Sequence, residues 1–232
     1  MSERVPLALL PGLLCDDALW QDQVAGLASL ADCRVAEFSS QDSVAAMAAS
    51  VLAIMPERFA LAALSMGGYV AFEVLRRAPE RVARLALLDT KARPDTPEQT
   101  KRRHGLIALA EKGRFKGVTP RLLPLLIHPS RLEEEALPAA VIAMAERIGK
   151  AAFLRQQRAI LTRPDSRSDL VRISCPTLVL CGRQDAMTPV ECHTELAAGI
   201  ASSRLVVLED CGHLAPMERP DEVTAALRAW LG

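Results

Sequence analysis

Short apolar runs alternate with longer stretches whose apolar residues recur at helical spacing. Residues 5–10, 33–38, 59–64, 82–88, 175–181 and 203–208 read as strands. Several are apolar almost throughout, which is expected of strands covered on both faces. Between them, helices are expected from Asp16 or Asp17 to about Ser29, over 43–54, from just after Ser65 to about Arg77, over 189–198 and over 220–231. Pro79 closes the third of these because proline cannot continue a helix. Regular alternation of strand and helix predicts an α/β fold, a parallel sheet covered by helices on both faces. No hairpin precedes residue 5, so the sheet is expected to be trimmed to about six strands.

The rhythm breaks between 91 and 164, where no strand pattern occurs. A helix is expected over 97–112, a short apolar piece over 120–126, and one or two helices over 132–161, bent near Pro138 and Gly149. The predicted organisation is a core of residues 1–90 and 165–232 interrupted by a helical insertion, 91–164. Open α/β sheets bind ligands beyond the carboxyl ends of their strands; an insertion seated there would line an apolar cleft, and the alternative is a helical decoration far from it.

Composition narrows the partners. The 28 Lys and Arg balance 28 Asp and Glu, which offers no support for a nucleic-acid backbone or an anionic membrane. The cluster from Lys101 to His104 reads as the wet side of a helix. No stretch approaches the roughly 20 apolar residues of a membrane span, and the first residues lack a secretory pattern. A cytoplasmic protein with a small-molecule partner is expected; oligomeric state is not legible. None of the six cysteines forms a C-x-x-C pair, so a zinc cage is not expected, and nothing else in the sequence calls for a metal or an organic cofactor. The cysteines read as small apolar filler, Cys15 alone lying near a candidate site loop.

Chemistry concentrates at residues 59–73, where an apolar strand runs into Ser65, then Gly67, Gly68 and a helix. A serine pressed between a strand end and a helix start sits in a sharp turn, its hydroxyl exposed. The following helix aims N–H groups and the positive end of its dipole at the same point. Ser65 is therefore a candidate nucleophile, although a helix N-cap would explain the serine alone. The segment Ala63-Leu64-Ser65-Met66-Gly67 resembles the G-x-S-x-G nucleophile elbow of the α/β-hydrolase family, with Ala63 at the first glycine.

That resemblance spans nearly the whole chain and implies further assignments. Gly212-His213 with Glu218 and Pro220 resembles the family's histidine loop, and His213 would be the general base. The other histidines, His104, His128 and His193, fall in the insertion or inside a predicted helix. Gly182-x-x-Asp185-x-x-x-Pro189 resembles the acid loop, making Asp185 the favoured carboxylate. Asp89 is its rival, and Asp210 is nearer His213 in sequence but poorly placed to reach the far ring nitrogen. Pro11-Gly12-Leu13 is similar to the oxyanion loop, with proline where histidine is common; backbone N–H groups of Leu13 and Met66 would form the oxyanion hole. Glu218 resembles a structural residue of the last loop, and residues 91–164 would be the helical cap.

The function implied is a serine hydrolase that cleaves carboxylic esters of small to medium, partly apolar substrates through an acyl-enzyme. Thioesterase, carbon–carbon bond hydrolase and perhydrolase chemistry share the same triad, because fold and triad do not fix a substrate. A non-enzymatic ligand receptor on this scaffold is the remaining class; it would give no covalent adduct at Ser65.

Overall fold

The computed structural model describes residues 4–232; Met1 to Glu3, at the start of the predicted core, lie outside the described residues. Six parallel strands form one sheet: β1 (Val5–Leu10), β2 (Ala31–Val35), β3 (Phe59–Leu64), β4 (Val82–Leu88), β5 (Thr177–Gly182) and β6 (Ser203–Leu208). Their order is β2-β1-β3-β4-β5-β6. The chain moves outward from β1 to β2, then crosses back to place β3 on the other side of β1. The order thus reverses between β1 and β3, and loops leaving their carboxyl ends diverge to open a crevice.

The pleat sorts the strand side chains. Leu7, Leu9, Ala60 and Ala62 face one layer, packed with Leu27, Val223 and Leu227 of helices α1 (Gln21–Leu27) and α7 (Pro220–Leu231). Ala8, Leu10, Leu61 and Ala63 face the other. Met47, Val51, Val70, Val74 and Leu196 meet them there from α2 (Val44–Ile54), α3 (Met66–Arg77) and α6 (Val190–Gly199). All of β3 is buried, as a strand covered on both faces requires.

The insertion contains α4 (Pro97–Leu109) and α5 (Ala136–Leu161). Thr96 and Gln99 close a reciprocal capping box at the start of α4. Helix α4 passes into a wider turn from Ala110 to Arg114 rather than continuing regularly to 112. Helix α5 breaks at Gly149, where φ is +74°. Pro138 causes no bend: it lies in the first turn of α5, where its missing N–H has no intrahelical partner to lose. The apolar piece expected at 120–126 is a single 3₁₀ turn, Leu123–Leu125.

Two strands are displaced from their expected spans: β5 runs Thr177–Gly182 rather than 175–181, and β2 is shifted further. β2 occupies Ala31–Val35 rather than 33–38, pairing Val5 to Leu9 of β1 with Ala31 to Val35. It is an edge strand, and its alternating exposure leaves the more apolar Ala36 and Phe38 to bury themselves in the loop beyond it. No helix of the described residues is long and apolar enough to cross a membrane.

Candidate active site

Ser65 stands between the end of β3 and the start of α3 with φ +53° and ψ −112°, a conformation a side-chain-bearing residue rarely adopts. Its backbone is held from both sides. The N–H donates to the Leu88 carbonyl at 3.1 Å; the carbonyl accepts from the Thr90 hydroxyl at 2.7 Å and the Gly68 N–H at 3.0 Å. Gly67 lets the turn close, because a Cβ there would lie 2.4 Å from the Leu10 carbonyl oxygen. The fully buried Ala63 fits where the elbow pattern has its first glycine.

The loop after β6 brings His213 to this turn. Its Nε2 lies 2.9 Å from Ser65 Oγ, and its Nδ1 lies 2.9 and 3.0 Å from the two carboxylate oxygens of Asp185. Asp185, in the loop after β5, is itself held by N–H groups of Met187 and Thr188, at 2.8 and 2.9 Å, and by the Thr188 hydroxyl at 2.6 Å. Burial pushes its pKa up, but the neighbouring imidazole and these donors outweigh burial and hold the carboxyl below its usual range. The three side chains expected to converge therefore form one continuous hydrogen-bonded chain.

The rival carboxylates are engaged elsewhere. Asp89 is fully buried at the end of β4 and accepts from Gly182 N–H at 3.0 Å and Ala215 N–H at 3.3 Å. Burial, and then the charge of Asp185, raise its pKa well above the ordinary value. Its hydrogen bonds tie the acid loop to the histidine loop. Asp210 is largely exposed and pairs loosely with Arg219 at 3.7 Å.

Glu218 fastens the histidine loop. Its carboxylate accepts from Gly212, Leu214 and His128 N–H groups at 2.9, 3.3 and 2.6 Å. The Leu126 carbonyl also accepts from the N–H groups of His213 and Leu214 at 3.0 and 3.1 Å. The loop that carries the imidazole is thus bonded directly to the insertion. Gly212 permits this contact, since a Cβ there would lie 2.8 Å from the Ile127 carbonyl carbon.

On the other side, Leu14 has φ +60° and donates its N–H to Gln156 Oε1 at 3.0 Å. Gln156, fully buried in α5, donates in turn to the Phe38 carbonyl at 3.0 Å. The N–H groups of Leu13 and Met66 make no hydrogen bond among the described residues. Met66 is the first residue of α3, where no intrahelical acceptor exists. Both residues line a cavity of about 400 Å³ together with Ser65 and His213. Its walls are largely apolar, with Leu106, Val141, Met144, Phe153 and Ile160 contributed by the insertion. Cys15 lines it too, but burial pushes its thiol up to about 12, so it has little thiolate character. No cluster of three metal-ligating side chains occurs among the described residues.

Matching by family confirms the ancestry this architecture suggests. The model of the alpha/beta hydrolase family matches residues 9–226. The chain belongs to that family. Among solved structures, this α/β-hydrolase is similar to a thermophilic esterase from Thermogutta terrifontis, determined with malate bound. The two share 32% identity and a TM-score of 0.87 over 98% of this chain and 89% of that one. It is also similar to a pimeloyl-[acyl-carrier protein] methyl ester esterase of Vibrio parahaemolyticus. That relative is 25% identical over 96% of this chain and 92% of its own. A 2-hydroxy-6-oxononadienedioate/2-hydroxy-6-oxononatrienedioate hydrolase of Klebsiella pneumoniae is 32% identical over 67% of this chain and 56% of its own length.

His193 of this hydrolase has a different task. It is fully buried in α6; its Nε2 accepts the Thr90 N–H at 3.0 Å, and its Nδ1 faces the Pro189 carbonyl at 3.3 Å. Burial lowers its pKa from 6.5 to about 4, so the ring is neutral at pH 7. The unfolded chain takes up this proton as pH falls below 6.5, whereas the folded chain resists until about 4. The stability linked to this group is therefore fully present above pH 6.5 and drains away through that window, by about 3 kcal/mol. His193→Gln, which keeps an acceptor for Thr90, is expected to flatten that part of the stability profile. Urea midpoints at pH 4.5 and 7 for both proteins measure the difference.

Proposed function

We propose that this α/β-hydrolase is a serine hydrolase that cleaves carboxylic esters of small to medium, partly apolar substrates through an acyl-enzyme. The observation that carries the reading is the unbroken chain from Asp185 through His213 to Ser65 at the wall of an apolar cavity. Asp185 accepts from Nδ1–H and so keeps Nε2 free to take the Ser65 proton. Ser65 Oγ then bonds to the carbonyl carbon, and the carbonyl π pair moves to oxygen. Leu13 and Met66 N–H groups receive that oxyanion; such a donor is worth about 2.7–4 kcal/mol to the transition state. Collapse expels the alcohol, which takes the proton from Nε2. Water, deprotonated by the same nitrogen, releases the acid and restores Ser65.

The insertion 91–164 serves as the cap. It supplies most of the apolar wall, and its Leu126 and Gln156 brace the loops that present His213 and Leu13. The substrate wall and the catalytic loops are therefore parts of one packed unit. The esterases among its relatives support ester cleavage for this chain. Fold and triad do not fix the substrate, so thioester or carbon–carbon bond cleavage is the second reading; the Klebsiella relative is named as a hydrolase of a hydroxy-oxo dioate, not of an ester.

A fluorophosphonate probe followed by peptide mapping tests the nucleophile directly. A single adduct on Ser65, with matching loss of p-nitrophenyl ester turnover, is expected. Absence of that adduct in folded protein would sink the assignment and favour a non-enzymatic receptor.

A further inference from the structure

Positive and negative side chains are equal in number over the whole chain, yet they are not shared equally by the cavity. Its lining includes Lys91, Arg102, Arg103, Arg114 and Lys116, and no Asp or Glu. Arg102, Arg114 and Lys116 are exposed and form the rim. Lys91 and Arg103 lie deeper, with side chains 9% and 17% exposed.

The deeper pair belongs to a cluster whose charge is unbalanced. Asp95 is its carboxylate, held by Arg103 at 2.5 Å and Arg163 at 2.8 Å, with the Lys91 ammonium 3.9 Å away. Three cations thus share one acid. Arg163 is further occupied by stacking over the Tyr69 ring at 4.1 Å and does not line the cavity. Arg103 uses Nε on Asp95 and Nη1 on Gln157, leaving its Nη2 edge over. Lys91 has three N–H donors and one close acceptor, Gln99 Oε1 at 2.9 Å. Burial and the Arg163 charge draw the Lys91 ammonium below its usual pKa, which an anion nearby would reverse. Buried cations without matching anions are costly, and such an arrangement is relieved by an anionic occupant.

Position ties this surplus to the chemistry. Lys91 follows Thr90, whose hydroxyl bonds to the Ser65 carbonyl at 2.7 Å, so ammonium and nucleophile share one end of the sheet. The free Nη2 of Arg103 and the neighbouring Lys91 ammonium can each donate to a carboxylate, and exposed rim cations draw anions toward the opening.

We propose that the substrate carries a carboxylate, received by Lys91 and Arg103 while its aliphatic part lies along the apolar wall and its scissile carbonyl reaches Ser65. This proposal rests on Ser65 being the nucleophile. The test compares two p-nitrophenyl esters of equal chain length, mono-p-nitrophenyl adipate and p-nitrophenyl hexanoate. The readout is the ratio of their kcat/KM values. The wild type is expected to favour the carboxylated ester at least about tenfold, and Lys91→Met to erase most of that preference. Lys91→Arg should restore it in good part. Lys101→Met, an exposed cation of α4 outside the cavity lining, should keep it.

A ratio near one in the wild type, or Lys91→Met slowing both esters equally, overturns the proposal while leaving the nucleophile assignment intact. A preference that vanishes at roughly 0.5 M salt but survives Lys91→Met assigns it to the rim and also overturns the proposal. Failure to hydrolyse either ester, with no adduct at Ser65, removes the hydrolase reading and this proposal together.

Discussion

Ser65→Ala is expected to lower kcat for a simple p-nitrophenyl ester by about 10⁴ to 10⁶-fold while leaving the fold in place. The oxygen removed is the one 2.9 Å from His213 Nε2, and water cannot use the same trajectory without losing the covalent step. Residual turnover would come from the cavity and the oxyanion donors, which the substitution leaves alone. The strained backbone stays as it is, since its partners at Leu88, Thr90 and Gly68 are main-chain contacts of residue 65. The lost hydroxyl is only partly buried, so its cost is about 1 kcal/mol, a shift of roughly 2–4 °C in Tm. Steady-state kinetics and a thermal melt decide the matter together. Near-normal melting with turnover above a tenth of wild type would remove Ser65 from the mechanism.

The central sheet was legible because its signal is local. Strands buried on both faces leave unbroken apolar runs, and β3 and β4 fall where those runs fall. The edge strand β2 was misplaced for the converse reason. Its outward residues are polar, and the stronger apolar pair, Ala36 and Phe38, lies past its end. The insertion was the least legible part because its helices answer to packing on the core rather than to a pattern of their own.

The same contrast separates the site residues. Ser65, Asp185 and His213 each sit in a short loop with a recognisable frame, so their convergence could be anticipated from positions far apart in sequence. Gln156 could not. A glutamine in a helix gives no local sign that it will be buried, and its partner Leu14 lies 142 residues away. The positive φ of Leu14 is equally silent in a leucine. Lys91 reads as the first residue beyond a strand and its loop; only the cavity shows it among cations with too few acids. Asp89 was visible as a carboxylate at the right end of the sheet. What distinguished it from Asp185 was hydrogen bonding, two backbone donors of neighbouring loops in place of an imidazole.

That difference sets up the second large effect. Asp185→Asn is expected to cut kcat by roughly 10⁴-fold with little change in KM. Oδ1 of Asp185 takes the N–H groups of Met187 and Thr188, which are donors only. An asparagine must keep its oxygen there, which turns its amide nitrogen toward Thr188 Oγ and His213 Nδ1. The amide then donates to Nδ1, the ring proton moves to Nε2, and Nε2 meets the Ser65 hydroxyl with a proton already in place. A histidine in that tautomer cannot act as the base, although every heavy atom is close to its original position. Asp89→Asn should cost far less in rate, because its carboxylate accepts backbone bonds and one amide oxygen preserves part of them. Its effect should appear chiefly as a lower Tm. Parallel kinetics on the two variants separates a carboxylate that sets the imidazole's proton from one that fastens loops. Should the loss at position 89 exceed that at 185, the orienting role belongs to Asp89.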